Sequence, residues 1–343
     1  MKPVHIHGIG AVSPAGWGVE PMREALRRGE PLPVKAMPRP GWTEMLQVRQ
    51  VPVPASRPAF LSHARLRRTS PIAHYTVAAA LEAVGNDAGK CAAAEFQLGI
   101  VFCAMTGCVN YSRRFYSEVL KDPATASPLL FPETVYNSPA SHLAALLGTS
   151  AVNYTLVGDP GTFLQGIALA ADWLGRGQVD GCLVIGAEES DWLTSDAMRL
   201  FERRAIVSEG AGAVYLRAGD GVNSMAQLRA ITHPHLFNGS VTRGDAAKQV
   251  RAELGQPGPD ELLCDSAVGL ARADRDELAA WEGWPGAGLS PKTLLGEGFM
   301  AGAAWQCVAA VDAIREQRHA GATVSVVGWN EQAIAAQFVR SGT

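Results

Sequence analysis

Apolar and polar residues change their spacing along the chain in a way that predicts alternating strands and helices. Residues 151–157 alternate and are rich in β-branched side chains, which is typical of a strand. Gly-Asp-Pro-Gly at 158–161 ends that pattern, residues 163–174 have apolar residues at helical spacing, and residues 182–185 predict a short buried strand. We expect the rest of the chain to be organised around this stretch, because the start of a helix offers free N–H groups to a ligand.

The same two spacings place further elements on both sides of this stretch. Strands are predicted at residues 4–12, 98–102, 213–217, 225–231, 262–264 and 323–327, the last being the final strand. Helices are predicted at residues 19–28, 70–84, 106–120, 138–147, 240–254, 275–280 and 305–316. The proline-rich residues 31–58 are expected to form an irregular surface loop. Strands that alternate with helices predict an α/β protein with mixed, buried sheets, divided near residues 219–221.

The composition describes a compact chain with no general affinity for polyanions. Of the 343 residues, 47% are hydrophobic and 18% are charged, and the net charge is −3. We therefore predict neither a nucleic-acid partner nor binding to an anionic membrane. Two arginine clusters are interpreted either as solvated helix faces or as docking sites for an acidic partner: Arg23, Arg27 and Arg28, and Arg65, Arg67 and Arg68.

The cysteines predict a reducing compartment rather than a disulfide or metal framework. There are six, and they are scattered, so we expect buried thiols: Cys91, Cys103, Cys108, Cys182, Cys264 and Cys307. They form no C-x-x-C pair, and the histidines form no cluster at metal-ligand spacing, so no metal or cofactor is predicted. The N-terminal sequence has no apolar export segment, and no apolar run reaches the ~18 residues of a membrane span, so we expect a cytoplasmic protein.

The turn at residues 158–161 carries no serine or cysteine, although strand-to-helix turns of this kind commonly hold a nucleophile. Asp159 and Pro160 suit a structural role, because Asp is a preferred N-cap and Pro is favoured at the first helical position. We therefore expect the pair to start the helix. A buried Asp159 that faces the site of a partner is the alternative.

Seven segments, in order along nearly the whole chain, resemble those of the β-ketoacyl synthases, which are decarboxylative condensing enzymes of the thiolase fold. They are HGIGAVSPAGWG, RLRRTSPIAHYTVAAALEAVG, FPETVYNSPASHLAALLG, GQVDGCLVIGAEE, SEGAGAVYLRAG, PKTLLGEGFMAGAAWQCVAAVDAI and VSVVGWNEQAIAAQFV. The resemblance implies a thiolase-like α/β fold, with two similar halves that hold mixed five-stranded sheets in an αβαβα arrangement. The N-terminal half would cover residues 1–219, and a shortened C-terminal half residues 220–343.

The resemblance also implies a Cys nucleophile, which this chain does not have at the corresponding turn. The nucleophile position falls on Pro160, or on Asp159 with a one-residue slip, and neither can attack a thioester usefully. In the family the nucleophile's own amide is one oxyanion donor, and proline has no N–H to supply it. The second donor of the family lies in a turn that here reads Val-Gly-Trp-Asn at residues 327–330.

Of the other catalytic positions that the resemblance implies, only the lysine is matched. Asp265 or Ser266 stands where the first catalytic His is expected. Lys292 matches the family Lys, and Glu297 stands at the second His position, which a shifted alignment assigns to Phe299. Because Lys292 and Glu297 are five residues apart on a Gly-rich turn, we expect a structural ion pair rather than an acid/base pair.

A condensing-enzyme chain that keeps only the lysine resembles the chain-length factors of type II polyketide systems, inactive subunits that pair with an active ketosynthase. The resemblance implies a heterodimer that shapes an acyl tunnel and meets an acyl carrier protein, in a polyketide, aryl polyene or fatty-acid-like pathway. It places Val109, Ser112 and Tyr116 at the tunnel end, although core packing explains their shared helix face equally. The strand before the turn would pair across the dimer axis through Ala151, Val152, Asn153, Tyr154 and Thr155.

Two other functions stay open at this point. One is an acyltransferase or decarboxylase that acts on carrier-protein thioesters through Asp159, Glu297 or a cysteine elsewhere, such as Cys108. The other is a homodimeric structural or binding protein that has no ketosynthase partner.

Overall fold

The computed structural model describes residues 2–93, 95–258 and 260–342. The strands are, in chain order, β1 Val4–Ser13, β2 Gly16–Trp17, β3 Lys35–Met37, β4 Leu46–Arg49, β5 Leu98–Ala104, β6 Asn153–Val157, β7 Gly181–Glu188, β8 Val207–Ser208, β9 Gly210–Ala218, β10 Ala226–Ile231, β11 His235–Leu236, β12 Glu261–Cys264, β13 Gly288–Leu289, β14 Gly321–Val327 and β15 Gln332–Val339. The α-helices are α1 Val19–Arg28, α2 Pro71–Val84, α3 Asp87–Ala92, α4 Val109–Lys121, α5 Ser138–Leu147, α6 Thr162–Gly175, α7 Trp192–Met198, α8 Arg243–Leu254, α9 Ala271–Ala280, α10 Pro291–Leu295 and α11 Phe299–Arg315. Short 3₁₀ helices lie at Ala59–Ser62, Ala64–Leu66 and Phe131–Glu133.

Ten strands form one continuous hydrogen-bonded path in the order β13-β12-β14-β15-β10-β1-β9-β7-β5-β6. The path consists of two groups of five strands, joined where β1 pairs with β9 on one side and with β10 on the other. Strand β5 is parallel to β6 and β7, whereas β7 is antiparallel to β9. The expectation of mixed, buried sheets is therefore confirmed, with the two groups linked edge to edge rather than separate.

The helices lie in three layers around these two groups of strands. Helices α6 and α11 pack between the groups, α2 and α5 cover the outer face of one group, and α8 and α9 cover the other. Helix α11 is buried from Phe299 through Ile314. Glycines in the strands allow its close approach, because a Cβ at Gly186 would lie 2.4 Å from the carbonyl oxygen of Met300.

Two predicted segments differ from the observed elements for identifiable reasons. Residues 31–58 are not wholly irregular, because β3 and β4 lie there and form a separate three-stranded sheet with β8. Strand β4 is short and surrounded by prolines, which hid its alternation of buried Leu46, exposed Gln47 and buried Val48. The predicted helix at 305–316 begins earlier, at Phe299. The glycine-rich sequence at its start suggested a turn, but Gly302 lies inside the helix, where a Cβ would collide with the side chain of Lys292.

The prediction that residues 323–327 form the final strand is wrong. Strand β14 is followed by β15, which pairs antiparallel with β14 from Gly321–Val339 to Val327–Ala333. This hairpin is closed by the short turn at residues 328–332, so the chain returns directly across the sheet. The division of the chain at residues 219 and 220 stays a prediction.

The first arginine cluster is not uniformly solvated. Arg23 is buried, and its guanidinium donates to Asp312 of α11 through Nε at 2.6 Å and Nη2 at 2.8 Å. The solvated-face interpretation is therefore wrong for Arg23, whereas Arg65, Arg67 and Arg68 are exposed.

None of the helices in the described part of the chain combines the length and the apolar character that crossing a membrane requires.

Candidate functional site

The turn between β6 and α6 holds Asp159 and Pro160, both buried. Helix α6 begins at Thr162, with Gly161 as the N-cap residue and no side-chain capping bond. The prediction that Asp159 caps this helix, with Pro160 at the first helical position, is therefore wrong. Asp159 supports the turn only through its backbone carbonyl, which accepts from the N–H of Thr162 at 2.8 Å.

The Asp159 carboxylate instead lies against the turn that joins β14 to β15, residues 328–332, which we call the amide turn. Its Oδ1 accepts from the backbone N–H of Trp329 at 3.1 Å, and its Oδ2 accepts from those of Glu331 and Gln332 at 3.3 Å each. The N–H of Gly328 donates to the carbonyl of Gln332 at 2.9 Å and closes the turn. A carboxylate held by several backbone N–H groups is a strong, charge-assisted arrangement.

Glycines make the approach of these two turns possible. A Cβ at Gly328 would lie 1.5 Å from Oδ2 of Asp159, so a larger residue would displace the carboxylate. A Cβ at Gly161 would lie 2.9 Å from Cγ2 of Ile334 in β15. Burial raises the pKa of Asp159, and the amide hydrogen bonds oppose that rise because they stabilise the ionised form.

The amide turn is connected to the matched lysine through one indole side chain. Nε1 of Trp329 donates to Oε2 of Glu297 at 2.9 Å, and the same oxygen accepts from Nζ of Lys292 at 3.1 Å. The other oxygen of Glu297 accepts from the N–H of Phe299 at 2.6 Å. The predicted ion pair of Lys292 with Glu297 is therefore confirmed, and Trp329 links it to Asp159.

The ion pair lies deep in the protein, since Lys292 and Glu297 are each 1% exposed. Removing a charged group from water costs free energy, and contact with an opposite charge offsets part of that cost. A Cβ at Gly302 would lie 2.9 Å from Cε of Lys292, so the glycine in α11 leaves space for the lysine stem. Phe299 opens that helix at a φ of 46°, which is a strained value for a bulky residue.

Ser266, one of the two residues at the first His position, has a structural set of partners. Its hydroxyl donates to the carbonyl of Ser325 at 2.9 Å and accepts from the N–H of Val327 at 3.0 Å. Ser266 thus joins the loop after β12 to the end of β14. The hydroxyl hydrogen and one of the two lone pairs are thus used within the protein, which is the pattern of a structural serine.

Asp265, the other residue at that position, is buried, and its Oδ1 accepts from the N–H of Ala267 at 3.0 Å. Burial raises the pKa of Asp265, and bonds from Ser290 and Ala267 oppose the rise. The positive charge of Lys292 also favours its ionised form. Asp265 is therefore an acidic group near the Lys292 pair, where the resemblance implies a histidine.

Glu277 of α9 is a buried carboxyl that the sequence did not single out. Its Oε1 accepts from the hydroxyl of Ser325 at 2.6 Å and from the N–H of Ser266 at 3.1 Å. Its Oε2 has no hydrogen-bond partner among the described residues. Burial, with the negative charge of Asp265, raises the pKa of Glu277 to about 7. Glu277 lies in a helix rich in charged residues, so nothing in the local pattern marked it as buried.

Two further buried carboxyls end β7 and hold the starts of two helices. Glu188 accepts from the N–H of Met105 at 2.5 Å and from the N–H and hydroxyl of Thr106, just before α4. Burial raises the pKa of Glu188 to about 7. Glu189 accepts from the hydroxyl of Ser70 at 2.5 Å, before α2, and from the N–H of Asn110 at 2.8 Å. The Gly-Ala-Glu-Glu end of β7 is thus the acceptor for both helix starts.

Cys108 does not have the environment of a reactive thiol. It is buried beside the start of α4, and its Sγ donates to the carbonyl of Val135 at 3.7 Å. Burial raises the pKa of the Cys108 thiol, and the nearby carboxylates of Glu189, Glu133 and Glu188 raise it further. A thiol nucleophile needs the opposite, a positive neighbour that stabilises the thiolate.

The three proposed tunnel residues lie on α4 but have different surroundings within the chain. Val109 is buried, Ser112 is half-buried and donates to the carbonyl of Thr134 at 3.1 Å, and Tyr116 is 62% exposed. Val109 is the buried residue of this helix, in contrast to the many buried residues of α2 and α6. Most of this helix is therefore not buried by other parts of the described chain.

The proposed interface strand lies at the end of the hydrogen-bonded path, where β6 pairs with β5 on one side. The observed strand begins at Asn153, so Ala151 and Val152 precede it, which corrects the predicted start at residue 151. Tyr154 is 54% exposed and Val157 is 53% exposed. An open concavity of about 370 Å³ next to this edge is lined by Asn137, Ser141, Asn153, Tyr154 and Thr155.

Within the described residues, no group of three or more His, Cys, Asp or Glu side chains is placed to hold a metal ion.

Comparison with known families decides the family of this fold and site. Residues 1–222 match the model of the β-ketoacyl synthase N-terminal domain. The chain belongs to the β-ketoacyl synthase family. A search of curated proteins finds no match to the sequence.

Solved structures of this family share the fold along the whole chain at low sequence identity. A β-ketoacyl synthase from Burkholderia phymatum has 16% identity and a TM-score of 0.83, with 99% of this chain and 100% of that chain covered. The ishigamide ketosynthase/chain length factor has 18% identity and a TM-score of 0.80, with 99% and 100% covered. The type II polyketide synthase complex AntDE:AntF, an acyl-carrier protein with its ketosynthase bound to the hexaketide, has 15% identity and a TM-score of 0.78, with 99% of each chain covered. The thiolase-like fold is therefore confirmed.

Membership in the β-ketoacyl synthase family sharpens the chemical reading of the site. The turn at which the resemblance implies a nucleophile presents a carboxylate and a proline, and the carboxylate is bound to the amide turn. Gln332 and Glu277 are site residues that sequence reasoning did not assign, and Trp329 was named only as part of the turn at residues 327–330. The signal was the Val-Gly-Trp-Asn turn itself, but only the fold shows that Asp159 is its partner.

Proposed function

We propose that the chain is a non-catalytic, chain-length-factor-like subunit that pairs with an active β-ketoacyl-carrier-protein synthase. The observation that carries the proposal is Asp159, whose carboxylate stands at the nucleophile turn and accepts the N–H groups of the amide turn. A condensing enzyme forms a covalent thioester at this turn, and a carboxylate in that position offers no thiol to form it.

The remaining catalytic positions support the same reading. Lys292 is neutralised by Glu297 rather than placed beside a histidine. Ser266 is hydrogen-bonded to β14 through its hydroxyl, and Asp265 carries a buried carboxyl group where the family resemblance implies an imidazole. General base and oxyanion functions each contribute large factors in rate, roughly 10²–10⁴ for the former. A site without the thiol, without either histidine and with its turn amides already bound to Asp159 is expected to have no useful rate of decarboxylation or condensation.

An exposed apolar surface supports a protein partner. It combines the β6 edge with α4 and the loop that follows α4, and its exposed large apolar residues are Tyr116, Leu120, Leu129, Phe131, Val135, Tyr136, Tyr154 and Val157. Contiguous apolar patches of this kind on a single chain mark interaction surfaces. The proposed interface positions Ala151, Val152, Asn153, Tyr154 and Thr155 lie at this edge, where a strand of the partner would complete the sheet.

The proposed context is a type II polyketide, aryl polyene or fatty-acid-like pathway, with an acyl carrier protein reached through the complex. Two relatives of the same fold bear on this by name, one a ketosynthase/chain length factor and one a complex of an acyl-carrier protein with its ketosynthase. The exposed Arg65, Arg67 and Arg68 form a positive surface that would suit an acidic protein partner. A cytoplasmic location and independence from cofactors belong to the same proposal.

Within the complex, Val109, Ser112 and Tyr116 are proposed to end the acyl tunnel. Their support is the loop that follows α4: Thr134 of this loop accepts from Ser112, and Asn137 lines the concavity at the β6 edge. A partner bound to this surface would bury the tyrosine. Replacing Tyr116 by Ala should lengthen the products of the reconstituted pair, measured by mass spectrometry of the released chains. Ser117→Ala, an exposed neighbour on the same helix, is the matched control, and equal product lengths in both variants would remove Tyr116 from the tunnel.

The decisive experiment is co-expression with an intact ketosynthase encoded beside this chain. We expect a soluble heterodimer with one copy of each subunit, measured by size-exclusion chromatography with light scattering. A stable homodimer that excludes the ketosynthase would instead favour a structural or binding protein.

A second measurement separates the proposal from an acyltransferase or decarboxylase. The purified chain is incubated with acyl and malonyl carrier-protein thioesters and analysed by intact-protein mass spectrometry. We expect no acyl adduct on this chain and no loss of carbon dioxide from the malonyl group. Covalent acylation of this chain alone, at Cys108 or elsewhere, would overturn the proposal.

A further inference from the structure

The amide turn has the construction of an anion site. The N–H groups of Trp329, Glu331 and Gln332 converge on one carboxylate, with N···O distances of 3.1 to 3.3 Å. Successive backbone N–H groups that face the same point form a concavity that binds anions without any charged side chain. Gly328 supplies the space, since a Cβ there would collide with the carboxylate oxygen at 1.5 Å.

Contacts that do not involve Asp159 also hold the turn. The guanidinium of Arg243 lies 5.3 Å from the centre of the Trp329 ring and donates to the carbonyl of Val327 at 3.1 Å, next to the turn. Gln332 is fixed from the other side, because its side-chain amide donates to the hydroxyl of Thr162 at 3.2 Å. The turn is therefore held open in its anion-binding shape by contacts that do not involve Asp159.

We propose that residues 328–332 form a site for a small carboxylate or oxyanion, and that the chain's own Asp159 permanently occupies it. The carboxylate acts as a built-in ligand. It takes the N–H groups that a thioester carbonyl would need when negative charge develops on its oxygen, and it repels that charge as well. The proposal rests on the proposed function for its biological meaning, because an occupied site closes the chain to acyl substrates independently of the replaced nucleophile.

The occupancy also sets the position of Trp329. Its backbone N–H is bound by Asp159 and its indole N–H by Glu297 at 2.9 Å, so the residue is held at both ends. Removal of the Asp159 carboxylate should therefore loosen the link between the nucleophile turn and the Lys292 pair. Filling the vacated site with an external carboxylate should restore it.

The experiment is chemical rescue of the full chain, followed by thermal unfolding. Asp159→Ala removes the carboxylate and leaves a space of the size of formate, and we expect its Tm to fall by roughly 5 °C. Sodium formate at tens of millimolar should restore a large part of that loss, compared with sodium chloride at equal ionic strength. The unaltered chain should respond equally to the two salts.

Asp159→Asn is the matched control, because it keeps the side-chain volume and leaves no space for formate. We expect its Tm to fall without a specific formate response. If Asp159→Ala does not fold, Asp159→Ser, which also vacates the turn, takes its place in the same comparison. A formate response that is no larger in the truncated variant than in the Asn variant and the unaltered chain would overturn the proposal. The measurement uses no ketosynthase and no thioester, so its result is separate from the pairing and acylation tests of the proposed function.

Discussion

The Asp159 side chain connects two turns of the fold through hydrogen bonds. Its two oxygens connect the start of α6 to the turn between β14 and β15, which lie far apart in the sequence. Pro160 beside it has no N–H to donate. The carboxylate of Asp159 is already bound to the amide turn.

At the same scale, Glu277 predicts a specific dependence of stability on pH. Its pKa is raised to about 7 by burial and by Asp265, from an ordinary value of 4.5. A carboxyl whose pKa is higher in the folded chain gives stability that is complete below the unfolded pKa. That stability is lost as the pH rises through the folded pKa. This contribution to stability should therefore fall as the pH rises from about 4.5 to about 7 and stay nearly constant above that.

Glu277→Gln removes this titration while it keeps an oxygen that can accept from Ser325 and Ser266. We expect the Tm advantage of the variant over the unaltered chain to grow as the pH rises from about 4.5 to about 7. Glu188, whose pKa is raised to a similar value, is present in both proteins and cancels in the difference. The control is Glu282→Gln, an exposed glutamate just after the same helix, which should show no such trend. A constant Tm difference for Glu277→Gln across this range would contradict the prediction.

At the scale of elements, β6 and α4 are the two that the chain leaves partly uncovered. Strand β6 ends the hydrogen-bonded path, and its outer edge carries backbone groups that another strand could pair with. Helix α4 carries the exposed side chains of Tyr116 and Leu120. Proteins generally protect such edges with charges or short strands, and this one instead carries tyrosine and valine, which favours a protein partner.

Val157 tests the interface at β6. Val157→Glu places a charge on an exposed edge position and should raise the Kd of the heterodimer at least tenfold, about 1.4 kcal/mol, because the charge would be buried against the partner. The Tm of the isolated chain should stay nearly unchanged, since the valine is already half-exposed. The measurement is analytical ultracentrifugation of the two purified subunits.

Val222→Glu is the matched control for this substitution. Val222 is 63% exposed and lies in the segment between β9 and β10, away from the β6 edge. It should leave the Kd unchanged. Equal affinity of the Val157 and Val222 variants would show that the partner binds elsewhere.

At the scale of the whole molecule, the layers are joined by charged contacts as well as by the apolar core. Arg23 of α1 forms a two-point bond with Asp312 of α11, near the opposite end of the sequence. Burial raises the pKa of Asp312, and the bond to Arg23 opposes that rise. The pair therefore fixes the outer helix α1 to the central helix layer and keeps a buried carboxylate paired.

Arg23→Ala should destabilise the chain by about 3 kcal/mol, the lower end of the range for breaking a buried pair, because Arg315 and Arg318 still face Asp312. The free energy of unfolding in denaturant measures the loss. Arg28→Ala, an exposed arginine of the same helix, should change stability by less than about 0.5 kcal/mol. Similar losses for the two variants would mean that the buried pair is not the source.

Much of the fold could be predicted from local pattern, because helix and strand periods are properties of neighbouring residues. Helices α1 and α5 begin and end at the predicted residues, Val19–Arg28 and Ser138–Leu147. Strand β15 and the strands within residues 31–58 could not be found in this way. Strand β15 is buried on both faces and therefore shows no alternation, whereas β4 is only four residues long and pairs with the distant β8.

The sequence by itself determined the fold class and the ion pair of Lys292 with Glu297, and it predicts that Asp159 and Pro160 stand where the family has its nucleophile. These follow from composition, spacing and motif order, which are all readable along one dimension. Only the tertiary structure decided what Asp159 does, because the amide turn at 328–332 is more than 160 residues away and meets it through the sheet. It also decided that Glu277 is buried and that Arg23 is paired, because burial depends on how the layers pack and not on local pattern.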